Sequence, residues 1–252
     1  MKIRILGNGG AINDGLPYNS FLVDDFFLAE TPPDIMNSLF REKVNIAKLS
    51  IIYISHFHGD HYFGLPFLIL RLFFNSGGRT ADRKIKIAGP QGIKYKTEEI
   101  CRLALGENHP VNSWIENSFI FNELGPGSNI VIDNNTSLKI FPMHHFIETY
   151  GFSLYLNGHI VFTYFADTMW NDDLLNQVKL FPGIILTDLN GEPADPVKVH
   201  MSEQDIIEKA IPHSEGKIIY YGTHLKIQKE SVHKNIKYVY PGETILIQHF
   251  VQ

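Results

Sequence analysis

Residues 55–66 read SHFHGDHYFGLP, which puts His56, His58, Asp60 and His61 within six positions of one another. The preceding run, 51–55, is apolar enough to be a strand buried between layers. Three imidazoles and a carboxylate packed at the end of such a strand would suffer desolvation and mutual crowding, whereas a divalent cation satisfies all of them together. Alternation along an extended loop sends His56 and His58 to the same side, towards one cation, and leaves Asp60 and His61 to reach a second. An exposed polar turn is a poor explanation for that density of ligands.

Around this cluster, β-branched and aromatic runs predict strands at 3–6, 20–29, 51–55, 137–143, 151–156, 159–165, 183–187, 217–221 and 244–248. Helical spacing predicts helices near 34–43, 64–75, 92–105, 172–179 and 202–210, the last opened by the capping pair Ser202 and Asp205. Asn157-Gly158, between two strand runs, is a tight hairpin signal. Strand runs broken by helices, with hairpins among them, predict mixed sheets covered by helices rather than a doubly wound parallel sheet. With 252 residues and no visible repeat or linker, the chain is read as one domain over 1–252. The turn Leu6-Gly7-Asn8-Gly9-Gly10 lacks both the GxGxxG spacing and a helix opening from it, so it reads as a tight turn rather than a phosphate loop.

Composition narrows the partners. A formal charge of −5 argues against a broad surface that tracks nucleic-acid phosphates. Cys101 is the sole cysteine, which excludes an intramolecular disulfide and a cysteine-based zinc site, and fits a cytoplasmic location. It reads as a buried helix residue. The opening MKIRILGNGG lacks a secretory pattern and no window reaches the ~18 apolar residues of a bilayer span, so no membrane association is expected. A homodimer is left open. Phe26-Phe27, Phe73-Phe74 and Tyr220-Tyr221 read as core pairs, and Arg79, Arg83, Lys84 and Lys86 as a solvated turn.

The segment around His56 resembles the HxHxDH signature of the metallo-β-lactamase superfamily. ILGNGG, LAETPPDI, Ala88-Gly89-Pro90, PMHHF, FADT, VHMS and GTHL follow in that family's order over most of the chain. The resemblance implies an α+β fold, an αββα sandwich of two mixed β-sheets flanked by helices, with metals at one edge of the facing sheets. It also implies a ligand set: His56, His58 and His145 for one metal, Asp60, His61 and His224 for a second, and Asp167 bridging both. His145 is preferred to His144 for its spacing to Gly151, a choice that strand alternation leaves open without the register. Read from residue type alone, Asp167 could instead cap a helix and His224 could be a surface histidine.

Within the superfamily the chain looks most like the branch of ribonuclease Z and the small cyclic phosphodiesterases. There, a histidine matching His200 in VHMS contacts the scissile phosphate or the leaving group, a task suited to an imidazole titrating near neutrality. Only 22 positions separate His145 from Asp167, too few for the arm with which ribonuclease Z grips transfer RNA. Glu30 stands where the family commonly has Asp.

Two cations roughly 3.5 to 4 Å apart lower the pKa of a shared water and neutralise a substrate oxygen, so no serine or cysteine nucleophile is needed. Asp60, orienting that water, and His200 are the expected catalytic residues. Zinc is the expected metal, with manganese and iron compatible with the same ligands. The expected activity is a phosphodiesterase acting on a small or cyclic phosphodiester or a short nucleotide, without an extended nucleic-acid surface. The alternative is a lactonase or thioesterase type of carbonyl hydrolase; an inert binding protein of the same fold is disfavoured by the complete ligand set. Trp114, in 107–118, either covers the site or packs.

Overall fold

The computed structural model describes residues 1–12, 14–79, 83–180, 182–195, 197–226 and 228–247. The first half supplies β1 (Lys2–Gly7), β2 (Ser20–Val23), β3 (Phe27–Ala29), β4 (Ile51–Tyr53), β5 (Ile85–Gly89) and β6 (Phe119–Glu123). The second supplies β7 (Asn129–Val131), β8 (Thr136–Pro142), β9 (Tyr150–Leu156), β10 (His159–Phe165), β11 (Ile184–Asp188), β12 (Ile219–Thr223) and β13 (Ile236–Tyr238), and β14 (Thr244–Leu246) returns to the first sheet. The sheets have the orders β14-β1-β2-β3-β4-β5-β6 and β13-β12-β11-β10-β9-β8-β7. Each combines antiparallel pairs on one side with parallel pairs on the other, the change falling at β3 in one and β10 in the other. This is the expected αββα sandwich.

Both faces of the first sheet are apolar, and alternation along each strand divides them. Ile3, Ile5, Phe21, Val23, Phe27, Ile51 and Tyr53 face the second sheet, while Leu6, Leu22, Leu28, Ile52, Ile54 and Ile87 belong to a second core under the helices. Those helices are α1 (Ile35–Arg41), the short α2 (Gly59–Tyr62), α3 (Leu65–Asn75), α4 (Ile93–Leu105) and α5 (Val111–Ser118). Between the sheets, aromatic rings meet edge to face: Phe21 on Tyr164 at 4.9 Å and Tyr53 on Phe152 at 4.8 Å.

Several expectations change in detail. The predicted single strand 20–29 is a hairpin, β2 to β3, because Asp24 and Asp25 take positive φ of 43° and 62° and reverse the chain. The stretch 107–118 is largely helical, and Trp114 packs: its Nε1 donates to Arg79 O and its ring lies against Phe73 and Phe119. The predicted helix 202–210 opens with the expected Ser202/Asp205 box but runs only through Asp205 as α-helix before a wider π turn, Ile206–Ala210. Asn157 and Gly158, both with positive φ, make the expected tight turn between β9 and β10. The glycine-rich turn is indeed a close approach: a Cβ on Gly7 would lie 2.0 Å from Tyr18 O. Gln248, the last residue of the strand predicted at 244–248, lies outside the described residues.

Gly64 controls how α3 meets β3. Its N–H donates to Thr31 O, and a Cβ there would come 2.0 Å from Pro32 O and 2.7 Å from an Ile35 methyl. Gly64→Ala is therefore expected to destabilise the fold by about 1 to 3 kcal/mol, the usual range for forced overpacking, read as a lower urea midpoint at unchanged m-value.

Candidate metal centre

The candidate ligands stand at the C-terminal ends of parallel strands and in the loops beside them. β4 ends one turn before His56, and α2 begins at Gly59 with His58 as its extended N-cap, which places Asp60 and His61 in the first helical turn. β8 delivers His145, β10 delivers Asp167, β11 ends at Asp188 and β12 stops one residue before His224. The loops after β8 and β10 are fastened together: His144 N–H donates to Thr168 Oγ1 and Met169 N–H donates to His144 O. His144 is exposed, while His145 turns inward with Nδ1 3.3 Å from Val199 O, an arrangement in which Nδ1–H donates and Nε2 faces the cluster.

His56 Nε2 lies 3.1 Å from His58 Nδ1, which lies 3.3 Å from His145 Nε2. On the far side of His56, Ser55 Oγ is 2.9 Å from Nδ1. A shared proton can serve one nitrogen pair at a time, whereas a cation serves three nitrogens together, so this donor set fits a divalent metal. A second group joins His56, His61 and Asp167, and a third joins Asp167, Asp188 and His200, with ligand atoms of each group within 4.8 Å of one another. His61 Nε2 lies 3.5 Å from both Asp60 Oδ2 and Asp167 Oδ2.

Two expected ligands stand apart from these groups. Asp60 approaches His61 at the rim. His224 is buried, but its Nε2 is 2.7 Å from the Lys229 ammonium and its Nδ1 takes the N–H of Lys226. The Asp167 carboxylate is turned to His61, and the cap position of the following helix, Asp173–Val178, belongs to Asp172 instead.

Electrostatics sort these groups into roles. Burial, followed by the nearby His61, pushes His56 well below the ordinary imidazole value, and burial lowers His145 too, so both are neutral and able to ligate. Burial opposes charge on His61, but Asp167 and Glu30 outweigh it and raise this imidazole well above its usual value. Burial would likewise raise Asp167, yet His61, His56 and His200 hold its carboxyl below the usual range. Burial and the Lys229 ammonium bring His224 down to about 4.

Asp188 is the site residue that sequence reasoning missed. It is buried, and its Oδ2 is 2.5 Å from His200 Nδ1, which in turn lies 3.9 Å from Asp167 Oδ2. Burial works against a charged His200, but Asp188 and then Asp167 prevail and push it up to about 9. Asp188 itself is raised by burial, so the pair keeps its proton across neutral pH. Its only sequence signal was position: Thr187-Asp188 ends an apolar strand as Ala166-Asp167 does.

A family model described as Anti-Pycsar protein Apyc1 matches residues 1–241. The chain belongs to this family. Ribonuclease BN of Escherichia coli O17:K52:H18 is 32% identical over 118 residues, which are 47% of this chain and 35% of the relative. The aligned stretch thus spans about a third of that relative's length. Among solved structures, human tRNase Z, short form, superimposes with a TM-score of 0.77 at 18% identity, covering 98% of this chain and 100% of that one. The metallo-β-lactamase fold protein YhfI of Bacillus subtilis does so with 0.72 at 16% identity, covering 97% and 98%. These superpositions give the Apyc1-family chain the metallo-β-lactamase fold, and 47% of its sequence is similar to part of ribonuclease BN.

Two outcomes follow from this geometry. Adding Zn2+ to chelator-stripped protein should raise the thermal midpoint, and His58→Ala should remove most of that rise, because a cation bound only by the folded state stabilises it. Without metal, His200 is raised above its unfolded value, so its contribution to stability is full below about pH 6.5. That contribution is lost as pH rises through about 9. The urea-stability gap between wild type and His200→Asn should therefore shrink between pH 6 and pH 9.5.

Proposed function

We propose that this chain is a metal-dependent phosphodiesterase that hydrolyses a small or cyclic phosphodiester. The observation that carries the proposal is the Asp188–His200 pair beside Asp167. A protonated imidazole fixed by a buried carboxylate, with a metal-ligand carboxylate next to it, suits delivery of a proton to a departing alkoxide. His56, His58 and His145 would hold one cation. Asp60, His61 and Asp167 would serve the second, and His224 would complete that set were the Lys229 ammonium to give up Nε2. Zinc is the cation proposed for both positions.

Bound cations would neutralise charge on the phosphoryl oxygens and make water nucleophilic at neutral pH. The chain's own residues do the rest. Asp60 orients the attacking water and accepts its proton, the bond from phosphorus to the leaving oxygen breaks, and His200, fixed at Nδ1 by Asp188, donates its proton to that oxygen. The short connection between β9 and β10 supports the reading of a small substrate. From Tyr150 to Phe165 the chain is a plain hairpin of β9 and β10 closed by Asn157-Gly158, with no protruding arm to hold a folded nucleic acid. The formal charge of −5 points the same way.

Purified protein assayed for metal content and for hydrolysis of bis(p-nitrophenyl) phosphate, cyclic nucleotides and a p-nitrophenyl ester tests this. Two cations per chain and diesterase activity lost on chelation are expected. His200→Ala should cost roughly 10²- to 10⁴-fold in kcat on a cyclic nucleotide, whose alkoxide needs a proton, and far less on the activated aryl diester. Ester cleavage with both phosphodiesters left intact would replace this proposal with a carbonyl hydrolase.

A further inference from the structure

Glu30 has no part in the chemistry above, yet it is fully buried directly behind the metal loop. It follows β3 with φ of 64°, a left-handed conformation that disfavours any residue with a Cβ. A buried carboxylate on an unfavourable backbone contributes poorly to folding, so its partners must explain it. Its N–H donates to Tyr53 O, which fastens the backbone to β4. Its Oε1 accepts from the Tyr164 hydroxyl at 3.2 Å, and that hydroxyl is fixed in turn by Asn19 Nδ2 at 3.1 Å. Its Oε2 accepts the Ser55 N–H at 3.2 Å and faces His61 Nδ1 across 3.5 Å.

The neighbouring backbone serves the same end. Thr31 N–H donates to His61 O at 2.7 Å and Thr31 O accepts from Gly64 N–H, so residues 30 and 31 brace the metal loop at Ser55 and at His61. His61 Nδ1 is buried and makes no hydrogen bond among the described residues, with Glu30 Oε2 facing it at 3.5 Å, and Nε2 looks the other way, at Asp60 and Asp167. A neutral imidazole, the form that binds a metal, must offer Nε2 as its lone pair when its Nδ1–H points at a carboxylate.

We infer that Glu30 is a positioning residue, which fixes the ring orientation and Nδ1–H tautomer of His61 so that Nε2 is presented for metal binding. The inference rests on the metal-centre reading but not on the identity of the substrate. An aspartate here would retract the carboxylate by about one carbon–carbon bond, ~1.5 Å, and could not span from Ser55 and Tyr164 to His61 at once. Glu30→Gln keeps the shape and loses the charge. Glu30→Asp keeps the charge and loses the reach.

The test measures tautomer and metal affinity rather than turnover. In zinc-loaded wild-type protein, ¹H–¹⁵N correlation of the histidine rings should show His61 protonated at Nδ1. An Nε2-protonated His61 overturns the inference without any variant being needed. Titration of chelator-stripped protein with Co2+, followed by its visible absorption, should show affinity falling about 10- to 100-fold in Glu30→Gln and by a smaller factor in Glu30→Asp. Thermal unfolding of the stripped proteins separates this from a general loss of fold. Wild-type Co2+ affinity and an unchanged His61 tautomer in Glu30→Gln would overturn the proposal, whereas diesterase inactivity with these signatures intact would count only against the proposed reaction.

Discussion

Imidazole nitrogens grouped so that a shared proton cannot serve all of them at once are the constraint on which the functional end of the molecule depends. His56, His58 and His145 bring three nitrogens into contact at 3.1 and 3.3 Å. Left without a cation, such a cluster loses the hydrogen bonds its nitrogens would make with water, typically 1 to 3 kcal/mol for each group left unmade. The apolar bulk of the sandwich supports that local cost. Strands apolar on both faces bury one set of side chains between the sheets and another under the helices.

The same architecture explains why the candidate ligands meet. In each sheet the change from antiparallel to parallel pairing places several strand ends side by side at one edge. Loops leaving that edge then carry chemistry on a rigid base, as binding and catalytic residues commonly do. Hydrogen bonds between the loops finish the positioning: His144 with Thr168 and Met169, Tyr150 N–H with Ser55 O, and Thr31 with His61. His200 gains its charge in the same way, from Asp188 at the end of a different strand.

Sequence reading succeeded where the physics is local. The α3 and α4 helices, the Asn157-Gly158 hairpin and the Ser202/Asp205 box are written in spacing and turn chemistry, and Cys101 was legible as a buried helix residue. It failed where long-range pairing decides. β5 and β6, with sequences IKIAG and FIFNE, become strands because parallel neighbours supply their hydrogen bonds, and β13 is held in the same way by β12. The break between β2 and β3 was hidden because the Asp24-Asp25 turn lies inside an otherwise continuous apolar run.

His56, His58, Asp60 and His61 could be singled out in the sequence as candidates because three imidazoles and a carboxylate within six positions are costly to pack without a shared partner. The alternation expected along an extended loop nonetheless gives way to a helical turn at Gly59. The αββα sandwich was legible only through the resemblance to the metallo-β-lactamase superfamily that this motif carries. Tertiary structure decided the rest. It turned His145 inward and His144 outward, drew Asp188 to His200, set Glu30 behind His61, and left His224 against Lys229. Each of these depends on the register and crossing of strands far apart in sequence, and one residue of slip would send the opposite side chain to the site.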